Sequence, residues 1–291
     1  MPGSPAPPGT LFVVATPLGH LEDVTLRALR VLREVSLVAC EDTRRTATLL
    51  RAHGISTPTT SYFEHNERWK GERILEALRG GRDVALVSDA GTPGISDPGY
   101  RLVRDARDAG LPVVPVPGPS AAVAALSVSG LPTDRFLFVG FLPPRKGARR
   151  RALGELARER ATLVFYETAV RAVDALADMV DLLGDREGFL CREATKVHEE
   201  YRRDRLSALR ASLAERGAVR GEIVLVVGGA GAPSPAAGQD PGLQGGHGSI
   251  TTFGRAVHGG RQTPRTTPGW RGLPSRRRER PSRAGGRAAG A

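Results

Sequence analysis

Short β-branched and apolar runs alternate along the chain with stretches in which apolar residues recur every three to four positions. Leu11 to Ala15 reads as a strand, and Val24, Ala28, Val31 and Val35 then fall on one face of a helix. Leu37 to Cys40 is a second strand, followed by helices over Thr43 to Ala52, stopped by Gly54, and Arg73 to Arg79, stopped by Gly80 and Gly81. Val84 to Val87, a helix from Tyr100 to Ala109 closed by Gly110, and Val113 to Val116 complete this set. Its strands are continuous apolar runs, the pattern of a parallel sheet covered on both faces. A second set follows the Pro-rich turn at Val116 to Pro119. It has strands near Phe136 to Phe141, Thr162 to Tyr166, Phe189 to Arg192 and Ile223 to Val227, and helices near Ala152 to Arg158, Val170 to Leu183 and Leu206 to Arg216. The expected fold class is α/β with two α/β domains, residues 10–118 and 119–231, after a flexible start at 1–9.

At 291 residues and 40% apolar composition, the chain is long enough to bury two modest cores. Beyond Gly231 the periodicity stops and Gly, Pro, Arg, Ser and Thr dominate, so residues 232–291 are expected to be disordered. Ten Arg against two acidic residues fall in that tail and carry most of the net charge of +11, which leaves a nearly neutral body. With 39 Arg, three Lys and one Asn the coding is strongly GC-biased, and an Arg/Gly/Pro/Ala-rich end is what out-of-frame reading of such DNA yields. A frameshift after about residue 231 is therefore expected, the alternative being a genuine disordered RNA-binding arm. Cys40 and Cys191 sit far apart in apolar runs and read as buried free thiols, with no disulfide framework and no metal site. No stretch approaches eighteen uninterrupted apolar residues and the start lacks a signal-peptide pattern, so the expectation is a soluble cytoplasmic protein with no membrane partner.

Three turns at strand ends carry the candidate chemistry. Ala15-Thr16-Pro17-Leu18-Gly19-His20 follows the first strand, where a Pro-x-Gly turn lets backbone amides approach a ligand. The twelve residues Ser88 to Gly99 form more loop than a strand-to-helix connection requires, and they contain neither a P-loop nor a dinucleotide fingerprint. Pro117-Gly118-Pro119-Ser120-Ala121 opens a helix of small residues whose first amides suit a ligand carboxylate. Three such turns suggest one crevice.

These motifs combine with Ala39-Cys40-Glu41-Asp42-Thr43-Arg44, Tyr62-Phe63-Glu64-His65-Asn66-Glu67, Ser129 to Phe136, Gly140-Phe141-Leu142-Pro143, Tyr166-Glu167, Arg192 to Lys196 and Gly221 to Val226. Over roughly residues 11 to 230 the chain resembles the ribosomal RNA small subunit methyltransferase I family of the tetrapyrrole-methylase superfamily. The resemblance implies a homodimer of two-domain α/β chains with S-adenosyl-L-methionine (AdoMet) in the cleft between the domains. It implies methyl transfer to the ribose 2′-hydroxyl of a cytidine in the decoding centre of 16S rRNA, with the small ribosomal subunit as partner. Carried over residue by residue, the AdoMet contacts are Leu18, Asp89, Gly91, Thr92, Pro93, Ile95, Ser120, Ala121, Tyr166 and Ala194. His20 stands where the family usually has Asn, Thr168 to Arg171 replaces its Ser-Pro-His-Arg, and the tail departs from its helical extension.

The ribose oxygen must lose a proton, and Glu41, Asp42, His65, Glu193 and Lys196 are the candidate bases in matching segments, Lys196 being alternatively a positive group beside a developing alkoxide. Each also has a structural explanation, Asp42 as a helix cap and Glu193 as an ion-pair partner of Arg192 or Arg171. Arg44 and Arg45, and the cluster Arg145, Lys146, Arg149, Arg150 and Arg151, are the candidate RNA contacts. Two rivals remain, a tetrapyrrole-precursor methylase with a similar cleft and a ribosome-associated RNA-binding protein without catalysis.

Overall fold

The computed structural model describes residues 7–217 and 220–231, and the expected tail with its proposed frameshift lies outside the described residues. Residues 1–6 of the expected flexible start lie outside them too, while Gly9 is buried and its N–H donates to the Leu78 carbonyl at 2.8 Å.

Five strands build the first sheet: β1 (Leu11–Val14), β2 (Leu37–Cys40), β3 (Thr59–Ser61), β4 (Val84–Val87) and β5 (Val113–Val116). They lie in the order β3-β2-β4-β1-β5 with every pairing parallel. Helices α1 (Leu26–Glu34), α2 (Thr43–Ala52), α3 (Glu67–Arg79) and α4 (Tyr100–Asp108) are the crossovers. Strand side chains alternate, so β4 sends Val84 and Leu86 to one core with Ile74, Leu78 and Leu102, and Ala85 and Val87 to another with Val31, Leu32 and Val38. Both faces are covered, which is why the central strands are apolar; each fully buried aliphatic side chain contributes about 1.5–3 kcal/mol.

The second sheet contains β6 (Phe136–Phe141), β7 (Thr162–Thr168), β8 (Glu187–Arg192), β9 (Glu200–Arg205) and β10 (Glu222–Val227) in the order β6-β7-β10-β8-β9. Only β6 and β7 pair in parallel; the other neighbours are antiparallel. Helices α6 (Lys146–Glu155), α7 (Ala169–Leu183) and α8 (Leu206–Glu215) pack on one face around Phe165, Leu176 and Leu225. The other face receives α5 (Ala121–Val128), whose Ala122, Ala125 and Leu126 meet Val164, Phe189, Cys191 and Val224. The small residues of α5 thus serve close packing between the strand end that launches it and the second sheet.

Four elements differ from the hydrophobic reading, among them α3, which begins at Glu67 and not at Arg73. β3, Thr-Thr-Ser, is too short and polar to stand out. β9, Glu-Tyr-Arg-Arg-Asp-Arg, is a charged edge strand whose Glu200 binds Arg192 at 3.1 Å and whose Arg203 binds Glu187. α6 begins at Lys146, six residues before the expected start, so most of the basic cluster lies inside a helix.

Candidate functional site

The turns after β1, β4 and β5 emerge side by side at the carboxyl ends of the first sheet, where open parallel sheets bind ligands. Hydrogen bonds stitch them together. Thr16 and Gly91 exchange both backbone bonds, at 2.9 and 3.0 Å, the Thr16 hydroxyl donates to the Ser88 carbonyl at 3.1 Å, and the Thr92 hydroxyl donates to the Pro119 carbonyl at 3.2 Å. Gly91 takes φ +81°, a conformation that side-chain-bearing residues avoid. The sheets approach across these loops: the His20 N–H donates to the Thr195 hydroxyl at 3.2 Å, and the Tyr166 hydroxyl accepts from the Ala122 N–H at 3.1 Å. Gly19 packs against the Lys196 side chain so closely that a Cβ at this position has no room.

A cleft of about 240 Å³ opens between the two sheets. Nine of the ten expected cofactor residues line it, namely Leu18, Asp89, Gly91, Thr92, Ile95, Ser120, Ala121, Tyr166 and Ala194. Pro93, the tenth, is buried and is not among the residues that line it. Apolar surface comes from Leu18, Ile95, Ala121, Phe141 and Val224, and polar groups from Glu41, Asp89, Asp97, Arg45 and Lys196.

The candidate bases separate. Glu41 lines the cleft, and burial, then the Asp89 carboxylate, pushes its carboxyl up. Lys196 also lines it, donating to Glu193 at 2.9 Å and to Glu222 at 3.0 Å. Burial alone would depress this ammonium, but those two carboxylates outweigh it and raise the pKa, so Lys196 stays charged and suits the positive-group role. Glu193 sits behind Lys196, accepts from the Glu222 N–H at 2.9 Å, and takes φ +50°. Burial opposes but does not overcome its bonds to Glu222 and Lys196, which hold its carboxyl low. Asp42 is the N-cap of α2, accepting from the Arg44 N–H at 2.8 Å; hydrogen bonds from Arg44 hold its carboxyl at about 2. His65 is exposed at the turn into α3, edge-on to Phe63, and does not line the cleft. Asp42, Glu193 and His65 are thus placed away from the cleft wall.

Of the candidate RNA contacts, Arg45 lines the cleft and lies 3.4 Å from Asp89, with Arg44 exposed beside it. Arg145, the N-cap of α6, and Lys146 and Arg151 within the helix are exposed. Arg149 is not: it is 4% exposed and its Nε donates to Asp178 at 2.7 Å. Arg150 is divided between Asp178 and Asp181, at 2.7 and 2.8 Å. Within one helix the basic cluster must face two ways, so Arg149 joins the core instead of an RNA-facing surface.

Eight further cleft residues went unassigned in the sequence. Phe141, Glu167, Cys191, Glu222, Ile223 and Val224 belong to the second sheet, and nothing local marks a strand residue as facing a neighbouring lobe. Ala90 and Asp97 are the other two, and their signal was present in the long loop that carries them. Both cysteines are free and buried; burial pushes the Cys191 thiol up to about 11, which leaves it protonated.

A model of the Tetrapyrrole (Corrin/Porphyrin) Methylases matches residues 10–210. A ribosomal RNA small subunit methyltransferase I from Pseudomonas aeruginosa is 52% identical over 227 residues, covering 77% of this chain and 80% of that protein. The protein of the same name from Thermotoga maritima is 47% identical over 221 residues, 76% of this chain and 99% of its own length. Among solved structures, a cobalt precorrin-4 methyltransferase superposes with a TM-score of 0.59 at 16% identity over 75% of this chain and 94% of its own. A uroporphyrin-III C-methyltransferase from Thermus thermophilus, complexed with S-adenyl homocysteine, superposes with a TM-score of 0.54 at 24% identity, over 76% and 97%. The structural likenesses carry the fold, and the sequence identities carry the narrower kinship already visible in the motifs. The chain belongs to the ribosomal RNA small subunit methyltransferase I family, within the tetrapyrrole methylases.

Proposed function

We propose that the cleft binds AdoMet and that the protein transfers its methyl group to the ribose 2′-hydroxyl of a cytidine in the decoding centre of 16S rRNA. The observation that carries this reading is the convergence of nine expected cofactor residues, from five separate segments, on one cleft in a chain 52% identical to a protein named as a ribosomal RNA small subunit methyltransferase. The residues fit the cofactor chemically. Leu18, Ile95, Ala121 and Val224 offer an apolar wall for a purine, Asp89 and its neighbours offer acceptors for hydroxyl and ammonium groups, and Gly91 lets the backbone come close. Ser120 makes no side-chain cap bond, so the first-turn amides of α5 other than that of Ala122, which donates to Tyr166, suit a carboxylate.

When bound, AdoMet supplies an electrophilic methyl group on a sulfonium. The protein's part is then chiefly positioning, which supplies roughly 7–11 kcal/mol in well-oriented systems. Lys196, held charged, stabilises negative charge developing on the ribose oxygen. Arg44, Arg45, Arg145, Lys146 and Arg151 are the exposed groups for phosphates. Drawing the target cytidine out of its stack costs a few kcal/mol, which those contacts offset. A homodimer and a cytoplasmic location belong to the same reading; among the described residues no helix is long and apolar enough to cross a membrane.

The test is transfer of radiolabelled methyl from AdoMet to small ribosomal subunits by the full chain and by a truncation ending near Gly231, with the product nucleotide mapped. A 2′-O-methylcytidine in the decoding centre is expected from both. AdoMet binding without labelled RNA overturns the reading in favour of a small-molecule methylase.

A further inference from the structure

The cleft holds five carboxylates, and four have evident assignments. Asp89 accepts from the Asp42 N–H at 3.0 Å and lies 3.4 Å from Arg45. Glu222 is bound to Lys196, and Glu167, 1% exposed, is 3.2 Å from Arg171. Glu41 keeps the attraction of Arg45. Asp97 has no cation partner among the described residues and has the Ser88 hydroxyl beside it. The groups that face it across the cleft are Glu41 from the end of β2, Asp89 from the end of β4, Glu222 from β10 and Tyr166 from β7. Resting on the methyl-transfer reading above, we propose that Asp97 accepts the proton of the ribose 2′-hydroxyl, with Glu41 as the neighbouring carboxylate that tunes it.

The loop holds this carboxylate in place at an energetic cost. Ser96, directly before it, takes φ +61°, a left-handed conformation a serine adopts only when its surroundings impose it. Gly140 allows β6 to close on that serine, since a Cβ there would fall 2.9 Å from the Ser96 Oγ. Gly99, at φ +136°, closes the other side; a Cβ would fall 2.9 Å from Leu86. Loop strain that keeps an unpaired carboxylate beside like charges has no stabilising purpose. Burial, then Glu41, pushes the Asp97 carboxyl up to about 6, where a group is ionised at neutral pH yet basic enough to take a proton. In the step itself the ribose oxygen bonds to the methyl carbon, the carbon–sulfur bond breaks with its electron pair to sulfur, and the hydroxyl proton passes to an Asp97 carboxylate oxygen. Solvent then carries that proton away.

Two measurements test this. Carbon-13 NMR titration of the ligand-free protein is expected to place the Asp97 carboxyl midpoint near 6, and Glu41→Gln is expected to move it down by removing the repelling charge. With small subunits as substrate, the wild-type kcat/KM is expected to rise through that same pH. Asp97→Asn should lose the limb and about 10²- to 10⁴-fold in kcat, and Asp97→Glu should recover part of it. AdoMet binding by calorimetry reports that the variants keep the cleft. An Asp97 midpoint near the ordinary carboxylate value, or an Asp97→Asn variant with wild-type kcat and an unchanged limb, overturns the proposal while the methyl-transfer reading stands. A wild-type protein that labels no RNA overturns both.

Discussion

The two lobes supply the cleft with different things because their sheets are built differently. In the first, every strand is parallel, so all carboxyl ends point one way and the connecting loops crowd together, offering backbone groups, Glu41, Asp89 and Asp97. In the second, mostly antiparallel, the strands present a face, and Phe141, Tyr166, Cys191 and Val224 reach the cleft as side chains on β-strands. Positive φ occurs in both lobes, at Gly91, Gly94, Ser96 and Gly99 within one loop of the first and at Glu193 and Thr195 after β8 of the second. The second lobe also contains a buried ion-pair cluster, Arg149 and Arg150 of α6 around Asp178 of α7. Parallel topology concentrates chemistry at loops, whereas the mixed sheet acts as a wall whose stability is settled behind it.

That contrast can be broken most severely at Asp178. Asp178→Ala leaves the buried Arg149 unpaired and is expected to cost about 3–5 kcal/mol in urea unfolding, whereas replacing Asp178 and Arg149 together by Leu and Met should cost far less. Burial opposes ionisation of Asp178, but Arg150 and Arg149 prevail and hold its carboxyl below the usual range. The stability it adds is therefore complete above about pH 4 and is lost as pH falls through the depressed folded value.

Asp97 has the opposite sign. Its folded value of about 6 exceeds the unfolded one, so the folded protein is progressively destabilised as pH rises from about 4 to 6. Discounted for its partial exposure, the effect is on the order of 1 kcal/mol, and Asp97→Asn should raise Tm by about 2–4 °C at pH 8 but not at pH 4. An equal change at both pH values would assign the gain to something other than charge. Tyr166→Phe removes the acceptor of the Ala122 N–H, and a loss of about 0.5–1.5 kcal/mol is expected by calorimetry. The smallest effects lie on the surface. Arg145→Ala and Arg151→Ala should each lower the salt slope of RNA binding by nearly one unit without changing stability by more than about 0.5 kcal/mol. Arg149→Ala should do the reverse, destabilising the fold while leaving the slope of the folded protein unchanged.

Much of this was legible along the chain. β2, β4, β5, β6, α2 and the end of α7 fall where the apolar runs and periods place them, because those patterns depend on residue type and spacing alone. The three turns that line the cleft were visible because Pro, Gly and small polar residues at strand ends have local conformational consequences. β9 was not legible: its six residues alternate only between charged and aromatic or charged, and its strand state comes from pairing with β8. The basic cluster of α6 gave no sign of dividing, since Arg149 and Arg151 are identical in sequence terms and differ only in what stands opposite them.

The sequence by itself determined the α/β succession, the glycine-rich turns and the family kinship, all of which depend on residue type and spacing. Tertiary structure alone decided that the second sheet is mixed, that Arg149 turns inward, and that Lys196 is bound to two carboxylates while Asp97 has no cation partner among the described residues. The physical reason is that a side chain's charge state and accessibility depend on neighbours remote in sequence. Glu41 and Asp97, Lys196 and Glu222, and Arg149 and Asp178 acquire their properties only when the two sheets and their helices pack.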